Sequence, residues 1–303
     1  MKKSILILMG LMPTVVFGQQ FPFMEGYNVN PFSLSPAYAG IHNAKTLFID
    51  YRSDWTGIAG GPKTYQLSYN DMIGRVGFGG KLIYDKTDIF GQILLMGSYT
   101  YQININKENF LNLGLSVGLY RNSIDLAKYF NDPTYVEDPA LMNGQQTSKI
   151  KFATDVSVLY RYKKQGEAGL LFSNVMFGTV RYANSDLTYK PLKNYLFHAS
   201  YIFEINEKWD IKPVFILRGG QHVPFLFELA PTVTWNKRFW GSVLMRTGGI
   251  YGAGVGGEVY KGIMLNYYYN LSTNVALNTF GSHQLTLGVQ IFKPKKELKF
   301  ERK

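Results

Sequence analysis

The 303-residue chain has no cysteine, so attachment through a lipidated N-terminal cysteine is excluded. Beyond its first 18 residues no stretch approaches 18 uninterrupted apolar positions, which excludes a transmembrane helix. Histidine is scarce. His42, His198, His222 and His283 are scattered without the spacing of a metal site, and no cofactor motif holds up in its context. Acidic residues are outnumbered, 21 against 32 Lys and Arg, for a formal charge of +11. Basic excess often signals nucleic-acid binding, but the chain opens like an exported protein and carries no nucleic-acid-reading motif. Met1-Lys2-Lys3 and the apolar run from Ile5 to Phe17, with small residues at Val16 and Gly18, read as a secretory signal at residues 1–18 cut near Gly18/Gln19. Its loss removes Lys2 and Lys3 and lowers the charge by two, to +9. Residues 293–303 carry six cations against Glu297 and Glu301, so much of the remaining basicity sits in one tail.

What is abundant is aromatic: 22 Tyr, 21 Phe and 4 Trp. The most informative stretch runs from Leu111 to Tyr120. Leu111, Leu113, Leu115, Val117 and Leu119 alternate with Asn112, Gly114, Ser116 and Gly118, and alternation at period two puts the apolar set on one face of a strand. A soluble sandwich strand usually ends after about five or six residues and presents bulky polar groups to solvent. Ten alternating residues with a small polar face match a tilted strand crossing a bilayer, which needs roughly 9 to 11. An open edge cannot persist in hydrocarbon, so the sheet must close.

The expected architecture is therefore all-β, a transmembrane antiparallel barrel of about 14 strands with periplasmic termini. Strands are predicted at 44–52, 62–72, 74–85, 89–104, 108–121, 148–163, 166–175, 190–206, 208–218, 223–236, 238–247, 249–260, 261–270 and 281–292. Connections after even strands are tight and those after odd strands often long, notably 122–147, 176–189 and 271–280. That is the habit of outer-membrane barrels, with short turns in the periplasm and long loops outside. Residues 19–43, interrupted by Pro22, Pro31 and Pro36, form a periplasmic or plug segment. The barrel spans 44–292 and a basic periplasmic tail follows at 293–303. Pro213 and Pro231 lack a ladder N–H, so the ninth and tenth registers are the least secure. Inward parity collects Lys81, Lys151, Asp155, Arg161, Glu204, Arg246 and Glu258, a mixed-sign lumen that suits a salt-bridged, narrow interior.

Two catalytic patterns match in spelling and fail in context. Gly114 to Gly118 has nucleophile-elbow spacing, yet Ser116 lies within a strand instead of on a strand-to-helix turn. Gly252 to Gly257 has dinucleotide-binding spacing with no helix after it, and packing of small residues on the lumen side accounts for the glycines. No catalytic residue is assigned and no enzymatic activity is expected.

Three clustered motifs are more specific. They are Asn30-Pro31-Phe32 leading to Ser35-Pro36-Ala37-Tyr38-Ala39-Gly40, then Arg52 with Trp55 and Gly57, then Gly60-Gly61-Pro62-Lys63-Thr64. Together they resemble the opening signature of the PorP/SprF family, with Ser35 where Asn is usual and Asp54 where Gln is usual. The resemblance implies an outer-membrane barrel of the type IX secretion system, partnered by outer-membrane lipid, secretion components, a peptidoglycan-binding periplasmic protein and a secreted cargo protein. It implies secretion or surface attachment of particular cargo proteins, with gliding adhesins among the candidates. On the residues themselves, Gly57, Gly60, Gly61 and Pro62 make a turn between the first two strands. Arg52 and Trp55 are placed to clamp it by a cation–π contact. Bracing of the rim and binding of a partner both remain open for this loop. The alternative function is a general porin or hydrophobic-solute transporter.

Overall fold

A computed structural model describes residues 23–42, 44–126, 145–175, 179–181, 188–189, 193–220, 223–273 and 280–292. The signal and its cleavage point, the basic tail and His222 lie outside the described residues. Fourteen antiparallel strands close into a barrel. In order they are Ala44–Ser53, Lys63–Ile73, Val76–Thr87, Phe90–Asn104, Asn109–Asp125, Lys151–Tyr162 and Gly166–Ser173. Next come Asn194–Tyr201 continued by Phe203–Glu204, Trp209–Lys212 continued by Val214–Gly220, and Val223–Leu229 continued by Thr232–Trp235. Phe239–Arg246, Ile250–Tyr260, Ile263–Ser272 and Ser282–Phe292 complete the wall. Closure joins the first strand to the last, with Ala44 opposite Phe292 and Ser53 opposite His283.

The alternation that predicts the strands also sorts their faces. In the fifth strand Leu113, Leu115, Val117 and Leu119 are exposed on the outer surface, whereas Asn112 and Ser116 are buried inside. The outer surface carries aromatic groups at both ends. Tyr51, Tyr65 and Tyr84 form a row with centroids 5.1 and 6.3 Å apart beside the longer loops. Trp209, Trp235 and Phe239 form another, at 6.4 and 5.9 Å, beside the tight turns. Aliphatic side chains fill the band between, the distribution expected of a surface crossing a bilayer.

Pro213 and Pro231 split the ninth and tenth strands as their missing N–H groups require. They leave the register intact. Ser200 opposes Val214 on one side of Pro213 and Phe203 opposes Ile211 on the other, and Thr232↔Ser242 continues the ladder of Glu228↔Arg246 across Pro231. The fifth strand runs further than its apolar pattern, to Asp125, where Gln145–Thr147 pairs with Ser123–Asp125. The loop expected from residue 122 therefore starts beyond Asp125. Above the lipid zone outward positions no longer need to be apolar, so the pattern fades before the strand does.

The described part of the segment before the barrel, from residue 23, packs inside the lumen as a plug. It is built of three single 3-10 turns, Gly26–Asn28, Pro31–Ser33 and Pro36–Tyr38. Pro31 and Pro36 each open a turn, where a missing N–H costs nothing. Tyr27, Phe32, Leu34, Ala37 and Tyr38 form the main apolar core of the molecule with Leu159, Leu196, Ile216 and Leu244 of the wall. The described segment runs from Phe23, beside Arg218 at the long-loop end, down to Gly40, against Asp71 and Met72 at the tight-turn end, where the first strand begins. Two wall glycines make this possible. A Cβ on Gly114 would stand 2.3 Å from the Ala37 nitrogen, and one on Gly77 would stand 2.1 Å from the Ala39 oxygen.

Candidate functional site

The site is the seat of this plug. Glu25, fully buried, is its centre. Its carboxylate accepts from Arg52, from Arg246 Nη2 at 2.8 Å and from Asn270 Nδ2 at 2.6 Å, while its backbone N–H donates to Gln284 at 2.9 Å. Arg246 Nε also donates to Glu228 at 2.5 Å, and the Tyr27 hydroxyl donates to Glu228 at 2.6 Å. Arg52 forks onto Asp54 at 2.7 and 2.8 Å and donates to the Phe23 carbonyl at 3.2 Å. Two carboxylates of the wall or rim, one of the plug and two guanidiniums thus make a closed ionic latch at the long-loop end. Burial alone would raise the pKa of Glu25, but the charges of Arg52 and Arg246 outweigh it and hold the group at about 2, from an ordinary 4.5. Glu25 is ionised at every physiological pH.

Below the latch the plug is fastened by hydrogen bonds to polar side chains of the wall. Asn30 donates to Ser68 at 3.0 Å, the Ala37 N–H to Ser157 at 3.0 Å and the Gly40 N–H to Asn70 at 3.0 Å. The Pro36 and Ala37 carbonyls accept from Thr100 at 2.6 Å and Asn112 at 3.0 Å. The Tyr38 hydroxyl donates to Glu167 at 3.2 Å and lies 3.3 Å from His198 Nδ1. Burial and the neighbouring carboxylates push the phenols of Tyr27 and Tyr38 well above their ordinary value, so both stay neutral donors. Two departures from the family pattern have a local account. Ser35 caps its turn by accepting from the Ala37 N–H at 3.2 Å, as an Asn could, and Asp54 completes the fork of Arg52.

The residues singled out from sequence fall into two groups. Asn30, Pro31, Pro36, Ala37, Tyr38 and Gly40 belong to the plug, and Arg52 joins them through Glu25. Trp55, Gly57, Gly60 and Pro62 stand apart in the rim loop over the first two strands. Thr64, at the top of the second strand, donates to Asp85 at 2.6 Å. The expected Arg52–Trp55 clamp is not formed among the described residues. Arg52 points into the lumen, whereas Trp55 sits on the rim at φ 51° and 40 % exposed. The loop is braced otherwise. Thr56 exchanges backbone bonds with Gly281 and Phe280, both at 2.9 Å, and the Gly60 carbonyl accepts from Asp88 at 2.9 Å.

Asp155, Arg161 and Arg246 do face inward, and the lumen is salt-bridged as expected, with Lys212 also 3.6 Å from Glu167. Glu204 lies exposed at the tight-turn rim. Glu25 and Glu228 were not anticipated: Glu25 lies in a segment without periodicity, and Glu228 lies just before Pro231. Ser116 bonds Ser98 at 2.6 Å in mid-strand, as the rejection of the nucleophile elbow requires. Cβ atoms on Gly252, Gly254 and Gly256 would collide with Asn270, Tyr268 and Trp240, so these glycines do make room for larger lumen residues.

The sequence profile described as type IX secretion system membrane protein PorP/SprF matches residues 16–289. No curated protein matches. Among solved structures, the CymD monoaromatic hydrocarbon channel is 9% identical, with 90% of this chain and 92% of that one covered and a TM-score of 0.49. A Pseudomonas aeruginosa FadL homologue is 10% identical over 91% and 96%, with a TM-score of 0.49, and the KdgM porin 8% identical over 81% and 98%, at 0.38. With its plug and signature residues in place, the chain is an outer-membrane β-barrel that belongs to the PorP/SprF family of type IX secretion system membrane proteins.

Proposed function

We propose that this barrel serves type IX secretion as a sealed, non-enzymatic docking component, supporting secretion or surface attachment of particular cargo proteins, and not as a general porin or solute transporter. The observation that carries this is the plug, which fills the lumen with the chain's own buried core and leaves the two ends of the barrel as its working surfaces. The tight-turn end is the periplasmic one. Every tight turn there presents an exposed cation: Arg75, Lys107, Lys163, Lys208, Lys237 and Lys261. With the basic tail of residues 293–303, this ring suits an acidic face on a periplasmic component, whose contacts weaken as salt screens them over roughly 8 to 10 Å. The peptidoglycan-binding protein and the motor components implied by the family are the candidate partners, and outer-membrane lipid surrounds the wall.

The test is affinity purification from the native envelope of the wild type, of Lys107→Glu/Lys208→Glu/Lys237→Glu, and of a chain lacking residues 294–303. All three are expected to stay heat-modifiable on gels. The two variants should lose a periplasmic or ring component and release less cargo. Full partner recovery and normal secretion by both would remove the docking role.

Orientation has its own check, made clean by the absence of native cysteine. Ile58→Cys, in the rim loop, should react with an impermeant maleimide on intact cells. Lys107→Cys should react only after the outer membrane is broken. The opposite pattern would invert the barrel and put the basic ring outside.

A further inference from the structure

Between the plug and the wall, under the long-loop end, lies a cavity of about 120 Å³ that the sealing role does not explain. One side is apolar and comes from both partners: Met24 and Leu34 of the plug, Ile83, Leu94 and Leu196 of the wall. The other side carries Lys81, Arg218 and Asp155. The remaining luminal guanidiniums of the latch are spent on Glu25, Glu228 and Asp54. Lys81 and Arg218 are different. Neither makes a hydrogen bond or contact ion pair among the described residues, and the Arg218 guanidinium carbon lies 4.4 Å from the centre of the Phe23 ring of the plug. Asp155 balances the charge of Lys81, and Glu25 and Glu228 balance that of Arg218, but the N–H donors of both cations have no acceptor among the described residues of the cavity wall, and a donor left without one in a partly buried position is costly.

We propose that this cavity binds a small amphiphilic monocarboxylate, of the size of benzoate or hexanoate, with its carboxylate between Lys81 and Arg218 and its apolar body against Met24, Leu34 and Leu94. The volume is close to the ~150 Å³ of an apolar protein cavity that accepts benzene. The unsatisfied donors of Lys81 and Arg218 select a carboxylate over a neutral hydrocarbon, and Asp155 disfavours a second carboxylate. Because Phe23, Met24, Ser33 and Leu34 belong to the plug, the complete site exists only while the plug is seated. Occupancy must therefore stabilise the sealed state by mass action. This inference is independent of the docking role.

The experiment uses the full-length protein, folded in a neutral maltoside detergent, with calorimetric titration of benzoate and hexanoate against benzyl alcohol and hexanol. Both acids are expected to bind at least tenfold more tightly than their alcohols and to raise the temperature at which the protein loses heat-modifiability. Lys81→Met and Arg218→Met should each weaken the acids at least tenfold and leave the alcohols unchanged. Three results would overturn the site: no saturable binding of either acid, equal binding of acids and alcohols, or displacement of the acids by inorganic phosphate at equal concentration. The acid-against-alcohol comparison on the wild type decides the matter even if a variant fails to fold.

Discussion

Glu25→Ala should convert a closed barrel into a conducting one. In planar bilayers the wild-type protein is expected to show no stable large openings, and the variant to show frequent ones, because the substitution removes the only acidic group that the plug gives to the latch. Arg52 keeps Asp54 and the Phe23 carbonyl and Arg246 keeps Glu228, yet each loses its carboxylate partner on the plug, and Asn270 loses its acceptor with them; the backbone bond to Gln284 remains. Removing one member of a buried ion pair costs about 3–5 kcal/mol, comparable with the whole stability of a small folded unit. The wall does not depend on the plug for its ladder hydrogen bonds, so the barrel should remain heat-modifiable while its lumen opens. Gly114→Val approaches the same result by another route, since its side chain needs the space held by the Ala37 backbone. Silent bilayers for both variants would mean that the plug is held by its apolar core alone and that the latch is incidental.

The same carboxylate sets a pH dependence whose sign follows from its depressed pKa. A group held at about 2 in the folded protein and near 4.5 when released contributes stability that is fully present above 4.5. That stability falls away as pH drops from 4.5 towards 2. The part of channel opening that Glu25 governs should therefore be flat between pH 5 and 8 and rise progressively below 4.5. Glu25→Gln, which keeps the size but not the charge, should remove most of the rise.

The wall was readable in the sequence because lipid imposes one rule on every strand: an apolar group at each alternate position across the hydrocarbon. Leu111 to Leu119 obey it without exception, and all fourteen expected strands are present. The rule lapses where lipid ends, which is why the fifth strand was ended at 121 although it continues to Asp125. The plug answers to no period, since 3-10 turns inside a lumen bury residues on all sides. Its decisive contacts are also remote in sequence: Glu25 meets Arg246 across 221 positions, a pairing that no local spacing announces. The Arg52–Trp55 clamp failed for a geometric reason. Residues three apart at the end of a strand have opposite parity, so the arginine turned to the lumen while the tryptophan went to the rim. The motif signature nonetheless pointed to the right region, since Asn30, Pro36, Ala37, Tyr38 and Gly40 are the residues that fasten the plug, and Arg52 is the wall residue that locks it.

Leu115→Arg should block assembly of the barrel outright. Leu115 stands at mid-height of the fifth strand, 43 % exposed on the outer face and flanked by Leu113 and Val117 on the same face. A cation at the middle of a barrel's lipid face costs about 2–4 kcal/mol, falling to roughly 0–1 near the interfaces. Tyr65→Arg, outward in the aromatic row beside the long loops, is therefore the depth control and should assemble nearly as well as the wild type. Ser116→Arg serves as the face control, although the lumen offers it no room. Ser116 is 2 % exposed with its hydroxyl on Ser98, and the plug runs against Gly114 two residues away. It should damage the protein differently, giving a barrel that reaches the outer membrane but conducts because the plug is displaced. Heat-modifiability of membrane fractions separates the outcomes: lost for Leu115→Arg, kept for Tyr65→Arg, kept with abnormal conductance for Ser116→Arg. Assembly of Leu115→Arg at the level of Tyr65→Arg would mean that this face does not meet hydrocarbon, and the bilayer assignment of the strand from which the whole barrel was read would fall.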